Sequence, residues 1–150
     1  MRLLFRVPVL FYRCRCGWLI GHRFLLLIQV GRRTGLRRRT VLEIIEYRKE
    51  GPEAVVMNAY GANSNWLRNI RATPNVEVVI GSKRLTVTYR FVDQWEAVGV
   101  LTRYQRRNRI IAPIMRSVLS HFLGWDYDGS EEHVRRLVAQ LPLIAFRALP

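Results

Sequence analysis

The chain has 150 residues, 49% of them apolar, and carries 25 Lys plus Arg against 11 Asp plus Glu, for a net charge of +14. That length suits one folded domain, 1–150, with a core large enough to need no staples. Cys14 and Cys16, two apart, form neither a redox C-x-x-C pair nor a zinc set, and no apolar run is long enough to span a bilayer or ends in a signal cleavage site.

A reduced cytoplasm is therefore the expected compartment. All basic residues except Lys49 and Lys83 are arginines. A guanidinium is a planar fork of donors that meets phosphate or carboxylate oxygens in pairs, so an anionic ligand is the first functional class to consider.

Leu3 to Gly21 alternates apolar and basic residues. It predicts an N-terminal helical segment, 1–22, lying on the rest of the fold or on a membrane surface. Phe24–Val30 (FLLLIQV) and Thr40–Tyr47 (TVLEIIEY) read as strands joined by a hairpin with a basic tip. After the turn at Glu50-Gly51-Pro52, Ala54–Asn58 supplies a third strand, and Val76–Ile80 with Leu85–Val92 forms another pair around Gly81-Ser82-Lys83.

Asn63-Ser64-Asn65 offers a helix N-cap ahead of Trp66, Leu67 and Ile70, with the stop at Thr73-Pro74. Asp93 with Glu96 is a capping box opening a helix whose Trp95, Val98, Leu101 and Tyr104 recur every third residue. Ile111, Ile114, Met115, Val118 and Phe122 mark another helix, and Ser130-Glu131 opens a last one bearing Val134, Leu137 and Val138 before Pro142. Five short strands predict a small antiparallel barrel with its core at 24–92, with helices and a C-terminal tail over 93–141.

Two loops could carry chemistry. Gly31 to Thr40 gathers Arg32, Arg33, Arg37, Arg38 and Arg39 with Thr34, Thr40 and two glycines that let backbone amides approach a phosphate; a solvated polar turn would have the same composition. Asn58 to Trp66 runs from a strand end through small residues into a helix start that can receive an anion or a ring oxygen, or can simply be a tight connection. His22, His121 and His133 lie at no ligand spacing, and no serine sits in a nucleophile elbow. Arg103, Arg106, Arg107 and Arg109 surround Tyr104 without interleaved aromatic residues, so a solvated helix face accounts for them better than specific nucleic-acid binding.

Taken together, G-R-R-T-G-L-R-R-R-T (31–40), V-V-M-N-A-Y-G-A (55–62) and W-L-R-N-I-R-A-T-P-N-V (66–76) resemble the deazaflavin-dependent nitroreductase family, over roughly Phe24 to Tyr89. The resemblance implies an α+β, mainly β fold, a split β-barrel of antiparallel strands like the FMN-binding split barrels, with peripheral helices. It implies coenzyme F-420 as the cofactor, whose phosphate and acidic tail account for the basic hairpin. By position, Arg32, Arg33, Thr34, Arg38, Arg39 and Thr40 would contact the phosphate and tail, and Val41 and Leu42 would sit near the ring edge. Met57, Asn58, Ala59, Tyr60, Asn65, Trp66 and Asn69 would line the ring pocket.

Two departures from the family pattern stand out. Ala59 replaces a serine near the reacting ring, and Arg103 to Met115 lacks the tyrosine cluster that shapes the nitro-substrate pocket. The implied activity is hydride transfer from reduced F-420 to a quinone, enone or nitro compound, with no catalytic side chain and no metal, because the cofactor is the reactive centre. The apolar N-terminal segment points to a small apolar acceptor and to peripheral contact with a membrane surface, and a homodimer is compatible with the pattern. The alternatives are an FMN-binding split-barrel reductase, a basic module for nucleic acid, and a carrier of an apolar ligand at a membrane surface.

Overall fold

The computed structural model describes residues 22–150. The expected N-terminal helical segment, with Cys14 and Cys16, lies outside the described residues. Along the described chain run β1 (Phe24–Val30), β2 (Arg37–Arg48), β3 (Glu53–Met57), α1 (Asn65–Ala72), β4 (Val76–Ile80) and β5 (Lys83–Phe91). There follow α2 (Gln94–Arg107), a single 3-10 turn (Arg109–Ile111), α3 (Ala112–Leu123), α4 (Glu131–Gln140) and β6 (Leu143–Ala148).

The strands close into an antiparallel barrel in the order β1-β2-β3-β6-β5-β4. Pairing is set by side-chain alternation, since a one-residue slip would exchange interior for exterior. Leu25 and Leu27 of β1, Leu42 and Ile44 of β2, Ala54 and Val56 of β3, and Ile144 and Phe146 of β6 share the barrel interior. Their neighbours Ile45, Val55, Leu143 and Ala145 form a second core with α2, Leu123 of α3 and α4 on the outside. A register shift between Ile44 and Glu46 lets β2 serve both cores.

The barrel differs from the sequence expectation by β6. The sequence predicts no strand over Leu143–Ala148, yet this run pairs with β3 and β5 and closes the barrel. Both of its faces are covered, so it shows no apolar–polar alternation, and its partners lie far away in sequence. The capping box is present, with the Asp93 carboxylate accepting from the Glu96 N–H at 2.9 Å. The buried side of α2 is Ala97, Val100, Leu101 and Tyr104. Trp95, expected on that side, is 81% exposed.

Glu53, 2% exposed, begins β3 at one rim of the barrel. Arg48 Nη1 reaches its Oε1 at 2.8 Å and Arg90 Nη2 at 2.9 Å, and both arginines also bind Glu96, at 2.7 and 2.8 Å. A buried carboxylate is tolerable only when paired in this way. The network joins α2 to the sheet.

Candidate functional site

The loop between β1 and β2 folds back on itself. Gly31 N–H donates to the Leu36 carbonyl and Gly35 N–H to the Gly31 carbonyl, each at 2.8 Å. A Cβ added to Gly31 would lie 2.8 Å from Thr34 Oγ1 and 3.4 Å from the Leu36 carbonyl, so a larger residue there would have to displace the Thr34 side chain. Gly35 takes φ +66°, the left-handed conformation that glycine adopts without cost. The strand begins at Arg37, which places Arg37, Arg38 and Arg39 on β2 rather than in the loop.

Arg38 and Thr40 have the parity of Leu42, and Gln29 that of Leu27, so these three continue the interior rows of the barrel out to its open end. There they meet α1, which crosses between β3 and β4. Arg32 ties the hairpin to that helix: its backbone N–H and Nη1 donate to Asn69 Oδ1 at 3.2 and 3.0 Å, and Nη1 and Nη2 reach Asn65 Oδ1 at 3.5 and 3.4 Å. Asn65 and Asn69, one helical turn apart, present both acceptors on one face.

A cavity of about 740 Å3 opens at this end. Of the residues expected to hold the cofactor, Arg32, Arg33, Thr34, Arg38, Arg39, Thr40, Tyr60, Asn65, Trp66 and Asn69 line it. Gln29, Gly31, Asn63 and Ser64 line it as well and were not anticipated. The available signal for Gln29 was one polar residue at an interior position of an otherwise apolar strand. Arg33, Arg38 and Arg39 make no ion pair among the described residues, so their charge is free for a ligand.

Among the described residues, two buried polar atoms on this wall have no hydrogen-bond partner, Gln29 Oε1 and Trp66 Nε1, in residues 3% and 5% exposed. Gln29 spends only its Nε2, on Thr40 Oγ1 at 2.9 Å. Unpaired buried polar groups cost free energy that a bound ligand can recover. The donor set therefore fits a phosphorylated polar cofactor: guanidiniums without an ion pair among the described residues, hydroxyls, the N-terminal turn of α1, and one unpartnered acceptor and one unpartnered donor on the same wall.

The remaining expected residues lie elsewhere. Val41 faces outward and Leu42 sits in the barrel core at 7% exposure; neither is among the residues lining this cavity. Asn58 is fully buried, its Nδ2 donating to the Gly61 carbonyl at 2.6 Å and to Ser64 Oγ at 2.9 Å, while its Oδ1 accepts from the Tyr60 N–H at 3.3 Å. It shapes the loop rather than facing a ligand.

Met57 and Ala59 line a second cavity of about 550 Å3 between the sheet and α2–α3. Its walls are mostly apolar, with Ile45, Leu101, Met115, Leu119 and Leu137 among them. Tyr60 lines both cavities. In the second, the Tyr104 hydroxyl donates to Glu43 and the Tyr127 hydroxyl to Gln105 Oε1, the latter at 2.9 Å. Burial pushes both phenols up, Tyr127 to about 12 and Tyr104 further, so the cavity holds no phenolate at neutral pH. No helix among the described residues is long and apolar enough to cross a membrane.

A family model described as F420H(2)-dependent quinone reductase matches residues 4–109, more than half of the chain. No curated protein matches the sequence. Among solved structures, a conserved hypothetical protein from Mycobacterium tuberculosis is 15% identical, covering 93% of this chain and 80% of that one with a TM-score of 0.54. A protein from Clostridium acetobutylicum related to general stress protein 26, of the pyridoxinephosphate oxidase family, is 8% identical, covering 92% and 83% with a TM-score of 0.51. An F420-H2 dependent reductase is 18% identical, covering 85% and 96% with a TM-score of 0.48. The first two likenesses establish the split-barrel fold and nothing more.

Proposed function

The chain belongs to the quinone reductase family that depends on reduced coenzyme F-420, and on that premise we propose that its two adjoining cavities hold the cofactor and an apolar acceptor side by side. The observation that carries this reading is Tyr60, which lines both the cationic cavity and the apolar one. A redox ligand in the first would thus present an edge to a molecule in the second.

When bound, reduced F-420 supplies hydride, so the protein need contribute only binding, orientation and exclusion of water. Arg33, Arg38 and Arg39, with Thr34 and Thr40, would hold the phosphate and acidic tail. Arg32, held by Asn65 and Asn69, keeps the hairpin and α1 at a fixed separation. Gln29 Oε1 and Trp66 Nε1 offer one acceptor and one donor to the polar rim of the ring system. Asn58 fixes the loop from which Ala59 and Tyr60 reach the junction of the cavities.

The apolar walls favour a quinone as acceptor, and they also admit an enone or a nitro compound of similar size. Ala59 brings no side-chain hydroxyl of its own to the junction, so a quinone, already electron-poor, suits the site better than a weaker oxidant.

The test is rapid mixing of reduced F-420, the protein and a small water-soluble quinone. Recovery of the oxidised cofactor spectrum, dependent on protein, is expected. Met115→Trp, which fills the apolar cavity, should raise KM for the quinone and leave F-420 affinity unchanged. Tight cofactor binding without oxidation by any acceptor would replace the reductase with a binding role.

A further inference from the structure

α3 is a twelve-residue helix with one buried residue, Leu123. Met115 and Leu119 pack partly against the second core, and the other large apolar residues are exposed. Ile110 of the preceding turn is 96% exposed, Ile114 67%, Val118 49% and Phe122 44%, and a spacing of four places them in one stripe. The stripe is bordered by charge of a single sign: residues 97–125 contain five arginines and no Asp or Glu. Of these, Arg106, Arg109 and Arg116 line a depression of about 470 Å3 with Thr102, Ala112 and Pro113. None of the three forms an ion pair among the described residues. Ile114, Val118 and Phe122 also line the apolar cavity, so the stripe continues into its wall.

We infer that this face docks on the surface of an anionic phospholipid bilayer, with Ile110 and its stripe entering the headgroup–acyl boundary and lipid phosphates meeting Arg106, Arg109 and Arg116. An amphipathic helix with arginine beside exposed large apolar side chains has the composition of an interfacial element. Charge argues against the other occupants. A second copy of the chain would bring arginines against arginines. A nucleic acid would leave the apolar stripe in water. Docking stands on the surface alone; the corollary, that a lipid-soluble acceptor enters the apolar cavity directly from the bilayer, rests on the acceptor reading above.

The experiment is flotation of the full chain with phosphatidylglycerol–phosphatidylcholine vesicles and with pure phosphatidylcholine, without cofactor. Binding to the anionic vesicles alone is expected, falling roughly twenty-five-fold in Arg106→Gln/Arg109→Gln, at about fivefold per arginine. Ile110→Ser should also weaken it. Both variants should keep the thermal midpoint, F-420 affinity and turnover with a water-soluble quinone. Equal binding to both vesicle types, binding unchanged in the variants, or tighter binding to duplex DNA would overturn the inference. A lower thermal midpoint in Ile110→Ser would overturn it too, by showing that the chain itself covers the stripe. Because vesicle binding is read without cofactor, its failure is distinguishable from failure of the reductase reading.

Discussion

Arg32 donates twice to one oxygen of Asn69, through its backbone N–H at 3.2 Å and its Nη1 at 3.0 Å, and so fastens the basic hairpin to α1. The bond involves a charged donor and a 6% exposed acceptor residue, conditions under which a hydrogen bond contributes about 1.5–3 kcal/mol. Asn69→Ala should lower stability by about that amount and weaken F-420 binding, because Arg32 loses its seat. A double-mutant cycle with Arg32→Ala, read by denaturant unfolding, should give a coupling of about 1 kcal/mol or more. Additive effects would show that the two residues act separately.

Arg33→Ala/Arg38→Ala should weaken F-420 binding by about 1.5–3 kcal/mol for each charge-assisted hydrogen bond removed. Calorimetric titration measures it, and the affinity of the wild type should fall with salt while that of the variant responds less. Unchanged affinity would move the phosphate away from the hairpin.

Ala59 lines the apolar cavity beside Tyr60. Ala59→Ser adds a hydroxyl at the junction without filling either cavity. Turnover with a quinone should hold or rise, with the larger gain for an enone, whose carbonyl profits more from a donor. A fall in kcat for both acceptors would mean that the junction has no room for the added oxygen.

Most of the barrel was legible in the sequence because its strands carry an alternating or continuous apolar pattern and its turns carry glycine. β6 was not, because its partners are distant and both its faces are buried. The hairpin arginines, Asn65, Trp66 and Asn69 were legible as one site only through the joint pattern of three blocks; each loop alone also fits a plain turn. Gln29 and the Arg48–Glu53–Arg90–Glu96 network depend on where β1, β3, β5 and α2 meet, which local sequence does not encode. Asn58 and Leu42 illustrate the converse: residues within the right blocks whose side chains are used for scaffolding and core.

Hydrogen bonding by Arg90, with help from Arg48, holds the Glu96 carboxyl at about 2, below its ordinary 4.5. A depressed folded-state value stabilises the fold above the ordinary value, and that contribution is lost as pH falls from about 4.5 toward 2. Thermal midpoints of the wild type should therefore drop across this window. Glu96→Gln should start lower at neutral pH and converge on the wild type in acid. A constant difference between the two at every pH would detach Glu96 from the acid transition.

In the proposed reaction hydride passes from reduced F-420, held at the hairpin, to an acceptor in the apolar cavity. Its most direct measurement is single-turnover oxidation of reduced F-420 carrying deuterium at carbon 5, mixed with the protein and excess quinone. The account predicts protein-dependent oxidation that slows markedly with the label in the wild type and is restored in Arg33→Ala/Arg38→Ala only at higher cofactor concentration. Protein-saturated F-420 that is not oxidised by quinone, or oxidation at the same rate with and without protein, would contradict it.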